Sequence, residues 1–186
     1  MANNDSKNVS VGKPMADGAV FVAPVGTTLP TDASTALPAD FENVGYISED
    51  GITNTIETDS EDIKAWGGDV VLTPQTSYKE TFTYTMIEIN ATALKHAYGS
   101  ANVTIADSGA ISVKHNGTEK DEAIVVIEKL LSNNRVSRTV IPRGKVAEVG
   151  DVEYKDDTAI GRELTLNALV DTDGNSSFEY IAEVSE

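Results

Sequence analysis

Apolar and polar residues alternate along much of the chain with a period of two. Between residues 78 and 86, Tyr78, Phe82, Tyr84 and Met86 share one parity, interrupted only by Glu80, while Lys79, Thr81, Thr83 and Thr85 share the other. That is the spacing of a half-buried strand, and its threonine-rich polar side suits one. Leu164, Leu166, Ala168 and Val170 alternate with Glu163, Thr165 and Asn167 and predict another. Residues 123–127 form a continuous, mostly β-branched apolar run, as expected of a strand covered on both faces. Further strands are predicted over 18–23, 44–47, 53–58, 103–106, 111–115, 136–141 and 146–152.

Asn116-Gly117 and Asp173-Gly174 supply residues that tolerate positive φ, so each predicts a tight or near-tight hairpin and the fold reads as antiparallel β. One helix is expected: Asn90 caps it, Leu94, Ala97 and Tyr98 share a face, and Gly99 ends it. It is only about two to three turns long. Residues 24–38, with Pro24, Pro30 and Pro38, read as a loop. With no internal repeat or composition break, the chain is expected to be a flexible N-terminal arm over 1–16 followed by a single β domain over 17–186.

The chain has 186 residues, enough for one domain to bury a core without staples. It has no cysteine, which excludes disulfides, thiolate metal sites and thiol catalysis. The first ten residues are polar, and no apolar run approaches the ~18 residues of a membrane span. Neither a signal peptide nor an anchor is read, and the product is expected to be soluble and made in a cytoplasm. There are 30 acidic against 14 basic residues, a net charge of -16, the wrong sign for holding nucleic-acid phosphates. Such acidity serves solubility in many domains.

The charge is unevenly placed. Between Asp40 and Asp62 lie eight acids and no lysine or arginine. Between Lys129 and Lys145 the pattern inverts, with Lys129, Arg135, Arg138, Arg143 and Lys145 and no acid. Two such segments can pair within the fold or meet across a repeating contact between identical subunits, and the pattern alone leaves both open.

Candidate chemistry is sparse. His96 falls on the expected helix and His115 beside Asn116-Gly117, neither in a metal-ligand spacing, so both are read as structural. Asp171, Asp173 and Asn175 begin like a calcium loop, but position six is Ser176 and position twelve is Ala182, which fits a turn better. No phosphate loop, nucleophile elbow or dinucleotide fingerprint is present. No catalytic residue, metal or cofactor is assigned, and enzymatic function is unsupported.

The stretch from Asp59 to Asp69 is the most informative. It holds the one tryptophan, Trp66, near Ile63 and before Gly67-Gly68, in acidic surroundings. A lone tryptophan commonly sits in a core, yet one in a polar, glycine-flanked segment is also what a docking loop offers. Taken in order, Gly18-Ala-Val-Phe-Val-Ala-Pro-Val-Gly-Thr-Thr28, Val44-Gly-Tyr-Ile-Ser-Glu-Asp-Gly-Ile52 and Asp62-Ile-Lys-Ala-Trp-Gly-Gly-Asp69 resemble the major tail proteins, or tail tube proteins, of long-tailed phages, especially those of Gram-positive hosts. The threonine-rich strand before a short helix, the Ile141-Pro142 step and the closing strand with its Asp-Gly turn follow the same layout, so the likeness covers roughly residues 17–183.

That resemblance implies an antiparallel β-sandwich or barrel-like subunit with a flanking helix, assembled as hexameric rings that stack into a virion tail tube. The inner strands of each ring are expected to join into one barrel. With about four inner strands per subunit at ~4.8 Å each, the bore is roughly 40 Å before tilt, and carboxylates along it would repel passing DNA. The excursion over 49–76 is expected to reach the next ring through Ile63 and Trp66. The implied partners are the chain itself and the tape-measure, tail-tip initiator and tail terminator proteins, with DNA passing unbound and no membrane involved. Beyond the resemblance, the acidic segment from Asp40 to Asp62, Glu61 and Asp62 included, and the basic segment from Lys129 to Lys145, with Arg135, Arg138, Arg143 and Lys145, are expected to lie on opposing surfaces of adjacent subunits. The alternatives are a monomeric β-sandwich recognition module for carbohydrate or protein, or a capsid or tail accessory protein.

Overall fold

The computed structural model describes residues 4–184; residues 1–3 of the expected arm and 185–186 of the expected domain lie outside it. In chain order the elements are β1 (Gly12–Pro14), β2 (Val20–Pro24), β3 (Glu42–Asn43), β4 (Ile47–Ser60), β5 (Ile63–Lys64), β6 (Val70–Leu72), β7 (Gln75–Met86), α1 (Ala91–Tyr98), β8 (Val103–Ile105), β9 (Ile111–Val113), β10 (Ala123–Leu131), β11 (Arg135–Val149), β12 (Arg162–Ala168) and β13 (Phe178–Glu183). The main sheet runs β3-β2-β10-β11-β12-β7-β4, with β1 added on β10 and β13 on β11, while β5–β6 and β8–β9 form small separate ribbons. The pairings are antiparallel. The fold is therefore mainly β and antiparallel, as the alternation predicts, and sandwich-like with one short flanking helix, as the resemblance implies.

β10 is covered on both faces, as its unbroken apolar run requires. Val125 and Ile127 join a core with Phe82, Tyr84 and Met86 of β7, Leu164 and Leu166 of β12, and Ala93 and Ala97 of α1. Ile124 and Val126 point the other way, into a smaller core with Phe21, Val140 and Phe41, capped by Leu29 and Leu37 of the proline-punctuated loop. The helix ends as expected: Asn90 Oδ1 accepts from the Ala93 amide at 2.8 Å, and Gly99 at φ 91 donates its N–H to Lys95 O. It buries Ala93, Leu94 and Ala97, while half-buried Tyr98 packs its ring edge against His115 at 4.7 Å.

Four expectations are corrected. The strands predicted over 136–141 and 146–152 are one strand, β11, which passes through Pro142. Its register slips between Ala123↔Gly144 and Val125↔Ile141, so Pro142 and Arg143 together oppose Ile124 in a bulge, where a missing N–H is tolerated. Asn116-Gly117 does not form a hairpin turn. The β8–β9 turn lies at residues 107–109, with Gly109 at φ 81, and Asn116 instead exchanges side-chain hydrogen bonds with Asn102. Asp173-Gly174 does turn the chain, with Asp171 Oδ1 accepting from the amides of Asp173 and Asn175. However, β12 and β13 do not pair with each other; they pair with successive lengths of β11. The expected arm is not free throughout, since Gly12, Lys13 and Pro14 pair with Leu131, Leu130 and Lys129.

Candidate functional site

β4 and β7 form one long hairpin of which only the root is packed. Ile47 and Ile52 of β4, and Phe82, Tyr84 and Met86 of β7, lie against the main core. Beyond them every residue from 53 to 79 is exposed. At ~3.3 Å per residue the run from Ile52 to Trp66 spans at most about 45 Å. The excursion expected as a loop over 49–76 is thus largely a two-stranded ribbon. The reason is the ladder: Thr53 through Asp59 pair residue by residue with Thr83 through Ser77, which satisfies the backbone without burying side chains.

The ribbon continues past a register slip at Asp59/Ser60 into β5 and β6, where Ile63 pairs with Leu72 and Lys64 with Val70. The tip is a turn over 65–69. Ala65 N donates to Asp69 O at 2.8 Å, and Gly67 and Gly68 hold φ of 133° and 101°. Trp66 sits on this turn, fully exposed, with Ile63, Val70, Val71 and Leu72 all exposed beside it. Glu61 and Asp62 flank the tip, Asp62 Oδ1 accepting from Thr73 Oγ1 at 2.9 Å. Of the eight residues predicted to make inter-subunit contacts, the structure brings four together here: Glu61, Asp62, Ile63 and Trp66. The Val70-Val71-Leu72 run escaped the sequence reading although three adjacent apolar residues after Gly67-Gly68 were its signal.

The root of the ribbon is fastened by Glu80, the residue that interrupts the apolar parity of β7. Its side chain is only 5% exposed. The carboxylate accepts from Asn54 Nδ2 at 2.9 Å, from Ser177 Oγ at 3.0 Å and from Ser176 Oγ. A buried carboxylate is retained only where donors replace water, and here those donors tie the arm to the segment before β13.

The four basic residues lie elsewhere, each with a partner inside its own chain. Arg138 is only 4% exposed; its Nε donates to Glu128 Oε1 at 2.7 Å and its Nη1 to Asp32 O at 2.8 Å. Arg143 is bidentate to Glu122, at 2.8 and 3.0 Å. Lys145 pairs with Glu119, and Arg135 Nη2 donates to Ser10 Oγ. The partners are Glu128 of β10, Glu119 and Glu122 before β10, Asp32 of the loop over 24–38 and Ser10 before β1, none of them from residues 40–62. The Glu119 and Glu122 carboxyls are held below the usual range by hydrogen bonds from Lys145 and Arg143 respectively. Burial makes Arg138 unavailable to another subunit.

A groove opens at the other end of β4. It has a volume of about 360 Å³ and is lined by Pro14, Met15, Ala16, Ile47, Gly51 and Ile52, with Lys13, Asp17, Glu88 and Glu128 among its polar residues. Glu88 is occupied, Oε1 accepting from the Tyr46 amide at 2.8 Å and Oε2 from Asn90 at 3.2 Å. Elsewhere, His96 is half-buried, with its Nε2 2.6 Å from Tyr84 Oη and the rings stacked. Burial pulls the His96 pKa down to about 4 and pushes the Tyr84 phenol up, so a neutral imidazole accepts from the hydroxyl. Among the described residues no cluster of three or more His, Asp or Glu side chains is placed to hold a metal ion, and no helix is long and apolar enough to cross a membrane.

In comparison with known proteins, a family model described as phage tail tube protein matches residues 1–185. No curated protein matches the chain.

Proposed function

The chain belongs to the phage tail tube protein family, a structural component of the virion tail, and from that premise we propose that it is the repeating subunit of a tube of stacked hexameric rings through which DNA is ejected. The observation that carries the reading is the ribbon over 53–79: an exposed arm, rigid by its ladder, ending in an apolar tip. An isolated domain gains nothing from holding Trp66, Ile63 and Leu72 in water, whereas a neighbouring ring gives them a surface to bury against.

The sheet supports ring closure. β11, β12, β7 and β4 are four consecutive antiparallel strands. The outer side of β4 is an edge, and Lys145–Val149 of β11 lies beyond its last β10 pairing at Gly144, with β12 on one side only. With four alternating strands, β4 of one subunit runs opposite to β11 of the next, so every junction around a ring is antiparallel and no edge remains. The face of these strands turned from the core carries Thr53, Thr83 and Thr165 in one cross-strand row, and Thr55, Thr81 and Asn167 in the next. We assign this face to the bore. It offers hydroxyls with scattered acids, Glu57, Asp59, Glu148 and Glu163, and its lysines, Lys79 and Lys145, are paired with Glu57 and Glu119, so phosphates find few free cations to hold them. Tape-measure, tail-tip initiator and tail terminator proteins are the partners such a tube requires, and synthesis takes place in the host bacterial cytoplasm.

Light scattering across protein concentration, with electron microscopy of the product, tests the proposal. Hollow rings or tubes are expected, with an initiator supplied if nucleation is slow. A discrete monomer at every concentration, with or without initiator, would overturn it.

A further inference from the structure

The apolar groove and the apolar tip lie at opposite ends of one strand. Ile47 and Ile52, near the start of β4, line the groove, and the same strand leads out to β5 and Trp66. Two different patches set apart along one rigid element make a heterologous contact, which repeats into an open stack rather than closing on itself as a dimer. We infer that the groove beside β1 and the start of β4 is the seat of a second copy's Trp66 tip. This rests on the stacked-ring reading and names its receiving site.

Size and charge agree with that occupant. A cavity of about 360 Å³ falls in the range that takes a bulky apolar group, and Pro14, Met15, Ala16 and Ile52 offer apolar walls to an indole. At the rim, Glu88 is tied to Tyr46 and Asn90, and Glu128 to Arg138. Lys13 and Asp17 have no ion pair among the described residues. The tip carries the complementary set, with Glu61, Asp62 and Asp69 for Lys13 and Lys64 for Asp17. In a chain of net charge -16, a lysine at the receiving site offsets the repulsion that an acidic tip would otherwise meet.

Photo-crosslinking in assembled tubes tests the assignment. A benzophenone amino acid replaces Met15, and cross-linked peptides are identified by mass spectrometry after microscopy has confirmed tubes. Cross-links to residues 61–72 of another copy are expected. Lys13→Glu, with a monomer of unchanged circular dichroism, is expected to raise the critical concentration for assembly at least tenfold. Tubes that cross-link from position 15 to any other segment, or Lys13→Glu tubes forming at the wild-type concentration, would overturn the groove while leaving the conduit standing. Failure of the wild-type chain to assemble even with initiator would remove both.

Discussion

Asn54 Nδ2 donates to Glu80 Oε1 at 2.9 Å across the root of the arm. The two residues are diagonal neighbours on one face of the β4–β7 ladder, so the bond braces the ribbon where it leaves the body. Glu80 also gathers Ser176 and Ser177. Removing it takes the carboxylate from three donors, leaving Asn54 Nδ2 only a 3.4 Å bond to Thr81 O and Ser176 Oγ only a 3.5 Å contact with Tyr78 Oη. Glu80→Ala is expected to lower unfolding free energy by about 1–3 kcal/mol, and to speed protease cleavage between 53 and 79. Glu80→Gln, which keeps an acceptor oxygen, is expected to do less of both. Urea unfolding and limited proteolysis of the two variants check this.

Arg138 and Arg143 are predicted to differ sharply. Arg138→Ala strands the carboxylate of Glu128 beside a buried strand and frees the loop held through Asp32 O, at an expected cost of about 3–5 kcal/mol. Arg143 and Glu122 are both substantially solvent-exposed, so Arg143→Ala is expected to cost about 1 kcal/mol or less. Equal losses in urea unfolding would contradict the intramolecular assignment of Arg138.

Arg162 is a buried cation whose Nε and Nη1 have no hydrogen-bond partner. Replacing a buried, only partly satisfied charge by an apolar side chain of similar reach relieves desolvation. Arg162→Met is therefore expected to leave the monomer's thermal midpoint unchanged or raised, and a clear drop in differential scanning calorimetry would contradict this.

His96 predicts acid sensitivity. Its pKa is about 4 in the folded chain against an ordinary value of 6.5, so the unfolded state binds the proton first. The stability this contributes is fully present above pH 6.5 and is lost as pH falls from 6.5 toward 4. The loss amounts to about 3 kcal/mol at most, and less to the extent that solvent reaches the ring through the pocket that Val22, Pro24, Thr92, Lys95 and His96 line beside α1. The double variant Tyr84→Phe, His96→Leu, which strands no hydroxyl, is expected to lack this component when melting is followed across that window.

Where side chains decide the structure, the sequence was informative. The parity of β7, the double burial of β10 and the caps at Asn90 and Gly99 all follow from local pattern, and even the flaw in the parity, Glu80, marked a real anchor. Where backbone pairing or long-range geometry decides, pattern failed. Of the ribbon over 53–79 the stretch 53–58 and the start of the 78–86 alternation read as strand, but the rest buries nothing, so no alternation announced it, and its ladder is stabilised by the opposite strand alone. Pro142 read as a strand end because a bulge against Ile124 cannot be seen from one strand. Asn116-Gly117 carried a turn signal that the turn at Gly109 and the Asn102 side chain made unnecessary. At the candidate site the tip residues Ile63 and Trp66 were legible as misplaced hydrophobics. The fate of Arg138 was not, since Glu128 reaches it only through the β10–β11 register.

Stacking through the arm is the central claim, and electron microscopy of Trp66→Ala beside the wild-type chain tests it most directly. Trp66 is fully exposed, so the substitution is expected to leave the monomer's unfolding within about 0.5 kcal/mol of wild type. Under matched conditions the wild-type chain is predicted to form long hollow tubes, while Trp66→Ala forms single rings or short stacks. Tubes of equal length and number from the two proteins would contradict the account.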